Sequence, residues 1–177
     1  MIRLRWRFAP LFAALALAGC VDSAEPLIGD AQPLFGPDVH IHLYVLGEDQ
    51  ASGPDVSAFH WDGHEYRLVG RPGFEIASFS ATALAGNDLL VQSRSTRPQI
   101  KGLEYGIARK LAPGVYMVRA IDEDDAEAAT RAKFCATGGS DSCRVTSREA
   151  LLALAGATAA KPELKGSLAI VVGPPKR

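Results

Sequence analysis

The stretch SAFHWDGHEYRLVG, residues Ser57 to Gly70, decides how the chain is read. Asp62-Gly63 is a favoured two-residue hairpin turn, since glycine supplies the positive φ that such turns require. Pairing outward from it sets Trp61 against His64, His60 against Glu65 and Phe59 against Tyr66. Side chains alternate across a strand, so Phe59, Trp61, Tyr66 and Leu68 share one face, while His60, Glu65 and Arg67 share the other. One apolar face and one polar face make a hairpin half-buried in an antiparallel sheet.

The same period of two continues on both sides. HIHLYVLG, from His40, alternates Ile41, Leu43 and Val45. FEIASFS, from Phe74, and DLLVQSR, from Asp88, are separated by Ala85-Gly86-Asn87. LEYGIARKLAPGVYMVRAI, from Leu103, turns at Pro113-Gly114. After Ile121 the period changes. DEDDAEAATRAKFC opens on acids and continues with helix formers, so Asp122 is the expected N-cap. VTSREALLALAGATAAK carries Thr146-x-x-Glu149 ahead of an apolar run, a capping-box spacing, and Pro162 ends that helix. SLAIVV, Ser167–Val172, reads as an interior strand. The expectation is an α+β domain over residues 39–177. Its antiparallel meander sheet has about 7–8 strands and can curl toward a barrel, with two helices near the C-terminus.

The N-terminus carries a different message. Arg3, Arg5 and Arg7 precede eleven consecutive residues, Phe8 to Ala18, that are apolar or proline. That run is short of the roughly 20 residues a membrane span needs and fits the core of a secretory signal peptide. Leu17-Ala18-Gly19-Cys20 follows, and it resembles the lipobox of bacterial lipoproteins at all four positions. The resemblance implies that residues 1–19 are removed and that the Cys20 thiol carries a diacylglyceryl group. It also implies membrane attachment through that lipid and a periplasm-facing place in the cell envelope. Val21 stands where an inner-membrane retention signal would have Asp, which favours the outer membrane over the inner. The domain itself resembles small alphaproteobacterial lipoproteins of unassigned function, through the stretches SAFHWDG and SREALLALA, and that resemblance implies no activity.

Residues 20–38 read as a lipidated tether, because Val21 to Asp38 holds three prolines, two glycines and four acids. Fully extended, it would reach up to about 60 Å. Its Leu27, Ile28, Leu34 and Phe35 predict that part of it docks on the domain. Without residues 1–19 the chain keeps sixteen basic against twenty acidic residues, a balance of −4. Cys135 and Cys143 flank the turn-rich ATGGSDS, which favours a disulfide in an oxidising compartment over a two-cysteine metal site.

All four histidines, His40, His42, His60 and His64, fall within 25 residues. His-x-His on a strand puts two imidazoles on one face, and imidazole is a common ligand of zinc and copper. His60 and His64 fall on opposite faces of the hairpin, so at most His40, His42 and His60 could converge. Solvated strand histidines are the favoured reading, and no metal or other cofactor is assigned. Asp122-Glu123-Asp124-Asp125 fails the EF-hand pattern, which needs glycine where Glu127 stands. Residues 21–88 hold eleven acids against two basic residues. In residues 89–121, Arg94, Arg97, Lys101, Arg109, Lys110 and Arg119 stand against Glu104 alone. Those cations either pair with acids across the sheet, the favoured reading, or form a face for an anionic envelope polymer. An acidic exported chain is a poor match to nucleic acid. No G-x-S-x-G elbow, S-x-x-K, Walker loop or G-x-G-x-x-G is present, so no catalytic residue is assigned.

These observations lead to the expectation of a non-catalytic, lipid-anchored binding or accessory module whose partner is an envelope protein or polymer. The basic strands are its favoured surface and the Trp61 hairpin the second. The competing expectation is a periplasmic enzyme or metal-binding protein using His40, His42 and His60.

Overall fold

A computed structural model describes residues 21–29, 31–46, 53–98, 100, 102–135, 143–161 and 166–172. In chain order the strands and helices are β1 (Val21–Ser23), β2 (Asp38–Val45), β3 (Asp55–Trp61), β4 (Tyr66–Val69), β5 (Ile76–Ala83), β6 (Asp88–Ser95), β7 (Leu103–Ala112), β8 (Val115–Ala120), α1 (Ala128–Phe134), β9 (Cys143–Arg144), α2 (Arg148–Ala159) and β10 (Ser167–Val172). Strands β2 to β8 form the expected meander. β10 then inserts between β8 and β2, antiparallel to both, so eight strands close into an up-and-down barrel. Closure leaves these strands no free edge to aggregate. The two extra strands, β1 and β9, lie outside this ring beside β7.

The β3–β4 hairpin keeps its faces but not its expected register. Trp61 pairs with Tyr66, His60 with Arg67 and Phe59 with Leu68. The loop is therefore four residues, Asp62 to Glu65, instead of two. The Asp62 carboxylate accepts the backbone N–H groups of His64 and Glu65, both at 2.9 Å, and pairs with Arg67. A side chain that bonds the following backbone is an alternative to the two-residue turn, and here it prevails. Those bonds hold the Asp62 pKa down at about 2. A slip of two residues preserves the alternation, which is why the apolar face survives.

An eight-stranded barrel is just wide enough for side chains to fill it. Val39, Ile41, Phe59, Tyr66, Phe74, Phe79 and Ala169 form that interior, with Phe35, Trp61, Leu68, Val118 and Val171 packed against them. The Tyr66 and Phe79 rings stack with centroids 4.8 Å apart, and Phe59 meets Phe79 edge-on at 5.0 Å. A second core lies outside the barrel. Leu103, Tyr105 and Ile107 of β7 and Leu90 of β6 pack with Leu151, Leu154 and Ala155 of α2 and with Val21 of β1. Full burial of a leucine contributes about 1.5–3 kcal/mol, so this outer core is what holds α2 in place.

Both helices start later than the spacing predicts. Asp122 does cap a turn, accepting from the Asp124 N–H at 2.9 Å, but that turn is a 3-10 segment, Glu123–Asp125, and α1 begins only at Ala128. The cap of α2 is Ser147, one residue past Thr146, and its hydroxyl accepts from Ala150 N–H. Glu149 still occupies the first turn, where the helix dipole favours an acid.

Candidate functional site

The chain immediately after the expected lipidation site is paired onto the outside of the barrel, against β7. Cys20 lies outside the described residues. From Val21, β1 runs antiparallel to β7, with Asp22 opposite Glu104 and Ser23 opposite Leu103, and parallel to β9, with Val21 opposite Cys143. Val21 is 0% exposed and Ser23 1%. Asp22 pairs with Arg144 at 2.8 Å, and its carbonyl accepts the Val145 N–H at 2.8 Å. The Ser23 and Tyr105 hydroxyls lie 2.7 Å apart.

The following residues stay on the barrel. Leu27 N–H donates to the Gln92 amide oxygen at 3.0 Å, and Ile28 is buried in the outer core. Phe35 then packs into the barrel interior, with ring centroids 5.5–6.4 Å from Tyr116, Tyr66 and Phe79. The expected docking of Leu27, Ile28 and Phe35 is thus observed, while Leu34 stays exposed. A fold that buries residues on both sides of the acidic and proline positions overrides their tether-like composition.

Cys135 and Cys143 form the expected disulfide, with Cα atoms 4.8 Å apart. It links the end of α1 to β9, the strand that flanks β1. The intervening residues 136–142 are outside the described set.

Glu104, the lone acid among basic neighbours in the sequence, has a setting that local spacing does not show. Its register partners are Asp22 on β1 and Ser93 on β6. Burial raises its pKa to about 7; Arg97 pulls it down, while Asp22 and Glu75 push it up. Arg97 is itself paired with Glu75. A carboxyl beside two other acids and one committed guanidinium holds its proton near neutrality.

His40, His42 and His60 do share the outward face of adjacent strands, because β2 and β3 are neighbours. His60 stands opposite Asp38, and its Nδ1 lies 2.7 Å from the Asp38 carboxylate. His40 stands between Ala58 and Val172, and His42 between Val56 and Ile170. Aliphatic neighbours thus surround two of the three rings. Among the described residues no three His, Cys, Asp or Glu side chains are grouped to hold a metal ion. Val56, Val69 and Val172 on the same outward rows are exposed. His64 lies in the loop, where its backbone N–H bonds Asp62.

The basic strands are largely paired. Arg97 meets Glu75, Arg109 meets Asp88 at 2.9 Å, and Arg119 meets Asp125 at 2.5 Å. Arg94 and Lys110 are exposed; Lys101 lies outside the described residues. Three of the five described cations are thus paired with acids, but only Arg109 with Asp88 is a direct cross-strand pair; Arg97 and Glu75 flank β6 and β5, and the partner of Arg119 lies in the 3-10 segment that follows β8. Trp61 points inward and meets Tyr66 edge-on at 5.0 Å, so the hairpin presents His60 and Arg67, not its indole. Among the described residues no helix is long and apolar enough to cross a membrane.

Comparison with protein-family models, with curated proteins and with solved structures gave no match to this chain.

Proposed function

We propose that the protein is a lipid-anchored barrel of the bacterial cell envelope, attached through Cys20, that acts as a non-catalytic binding or accessory module. The observation that carries this reading is Leu17-Ala18-Gly19-Cys20 at the end of an export signal, followed at once by a folded domain. Two or more acyl chains hold a protein stably at a bilayer where one does so only marginally. The Cys135–Cys143 bridge suits the oxidising side of a membrane.

Aromatic side chains packed through the barrel favour a role for its outer surface over carriage of a small molecule inside it. The partner is an envelope protein or an anionic envelope polymer. Arg94 and Lys110, the exposed cations of the basic strands, are the favoured contacts for such a polymer. The test is crosslinking in intact cells, followed by mild detergent extraction and identification of what the anchored protein retains, with Cys20→Ala as the secreted control. A partner enriched only with the anchored form supports the reading. If the two forms retain identical material, anchoring does not direct binding and the module reading fails.

A further inference from the structure

The length of free chain between a lipid on Cys20 and the folded barrel is set by where the first buried strand begins. We infer that the barrel sits directly on the bilayer surface, on a leash of a single peptide unit, instead of being projected into the periplasm. The inference rests on the lipidation proposed above. Its own ground is the placement of β1.

Val21 is covalently next to Cys20, and consecutive Cα atoms are about 3.8 Å apart. Val21 is fully buried, paired with Cys143 and packed against Leu103 and Tyr105 in the outer core. Release of β1 would break more than one contact. It would expose Val21 and Ser23, separate Asp22 from Arg144 and remove the Val145 N–H bond to the Asp22 carbonyl. Further release, as far as Asp38, would take Ile28 out of the outer core and Phe35 out of the barrel. An extended linker of that length would reach about 60 Å, whereas the docked one offers almost none. The disulfide ties β9, and through it β1, to α1. The β1–β9 side of the barrel is therefore the side that meets the lipid headgroups. Any partner must be reached at the membrane surface.

The measurement is neutron reflectometry of the full-length lipidated protein, purified from membranes and reconstituted in a supported phospholipid bilayer. A second sample carries twenty Gly/Ser residues inserted between Cys20 and Val21, which leaves every barrel contact in place. Such a spacer has a root-mean-square span of about 25 Å. The expected result is protein density that begins at the headgroups for the natural chain and a hydrated gap that appears only with the spacer. A gap of several tens of ångströms for the natural chain, or one unchanged by the spacer, overturns the inference while leaving lipidation intact. Absence of acyl mass on the purified protein overturns both this inference and the lipid-anchored reading.

Discussion

The Tyr66 hydroxyl accepts the Phe35 N–H at 3.0 Å and donates to the Gly36 carbonyl at 2.8 Å. One phenol on β4 therefore holds the N-terminal segment where it enters the barrel. Tyr66→Phe removes both bonds and leaves the Phe35 N–H without its partner. The expected cost is about 1–3 kcal/mol by urea denaturation. Tyr116→Phe is the comparison: Tyr116 also contacts Phe35 through its ring, which phenylalanine retains, so its cost should stay within about 0.5 kcal/mol. Equal effects of the two substitutions would mean that the phenol clamp contributes nothing.

The disulfide closes a loop with a sequence separation of 8. Chain-entropy reasoning gives such a loop about 2.5 kcal/mol. The Cys135→Ser/Cys143→Ser variant should lose about that much. It should also speed amide exchange in β1, because Cys143 is the neighbour of Val21. Exchange that rises only around α1 would show that the bridge does not support β1.

Glu104 predicts a pH dependence. Its carboxyl titrates at about 7 in the native state and near 4.5 when unfolded. Between those values the native state holds the extra proton, so stability falls as pH rises from about 4.5 to about 7 and then levels off. Glu104→Gln keeps the shape without the ionisation. Relative to the natural chain it should gain on the order of 1–3 kcal/mol at pH 8 and nothing at pH 4. Denaturant midpoints at pH 4, 6 and 8 decide this, and parallel curves for the two proteins would rule out Glu104 as the source.

Arg109 and Arg94 separate structural from available charge. Arg109 grips the buried Asp88 with two nitrogens at 2.9 Å and also donates to the Ala159 carbonyl at the end of α2. A cation at a helix C-terminus is favoured, and loss of one partner strands the other in a buried site. Arg109→Ala should cost about 2–4 kcal/mol. Arg94→Ala at an exposed position should change stability by less than about 0.5 kcal/mol, leaving it free to be tested for partner contact. A similar loss at both positions would remove the distinction.

Much of the barrel is legible in the sequence because a period of two survives local errors. The β3–β4 register slipped by two, yet Phe59, Trp61, Tyr66 and Leu68 still face inward. What the sequence hid was long-range. Nothing near Val21 announces a strand of three residues, since its partners Glu104 and Cys143 lie far away in the chain. The raised pKa of Glu104 likewise has causes that no local stretch shows: burial first, and then the charges of Asp22 and Glu75, which come from distant segments. The start of α2 differs from the spacing by one residue, because Ser147 and Thr146 can both cap and local spacing does not choose between them.

A lipid on Cys20 underlies the proposed attachment to the envelope, and the intact mass of the protein purified from the membrane fraction reports on it. The expected result is a chain that begins at Cys20 and carries the added mass of a diacylglyceryl group, with or without a further acyl chain. A chain that retains residues 1–19, or one that lacks added mass and is recovered outside the membrane fraction, would contradict it.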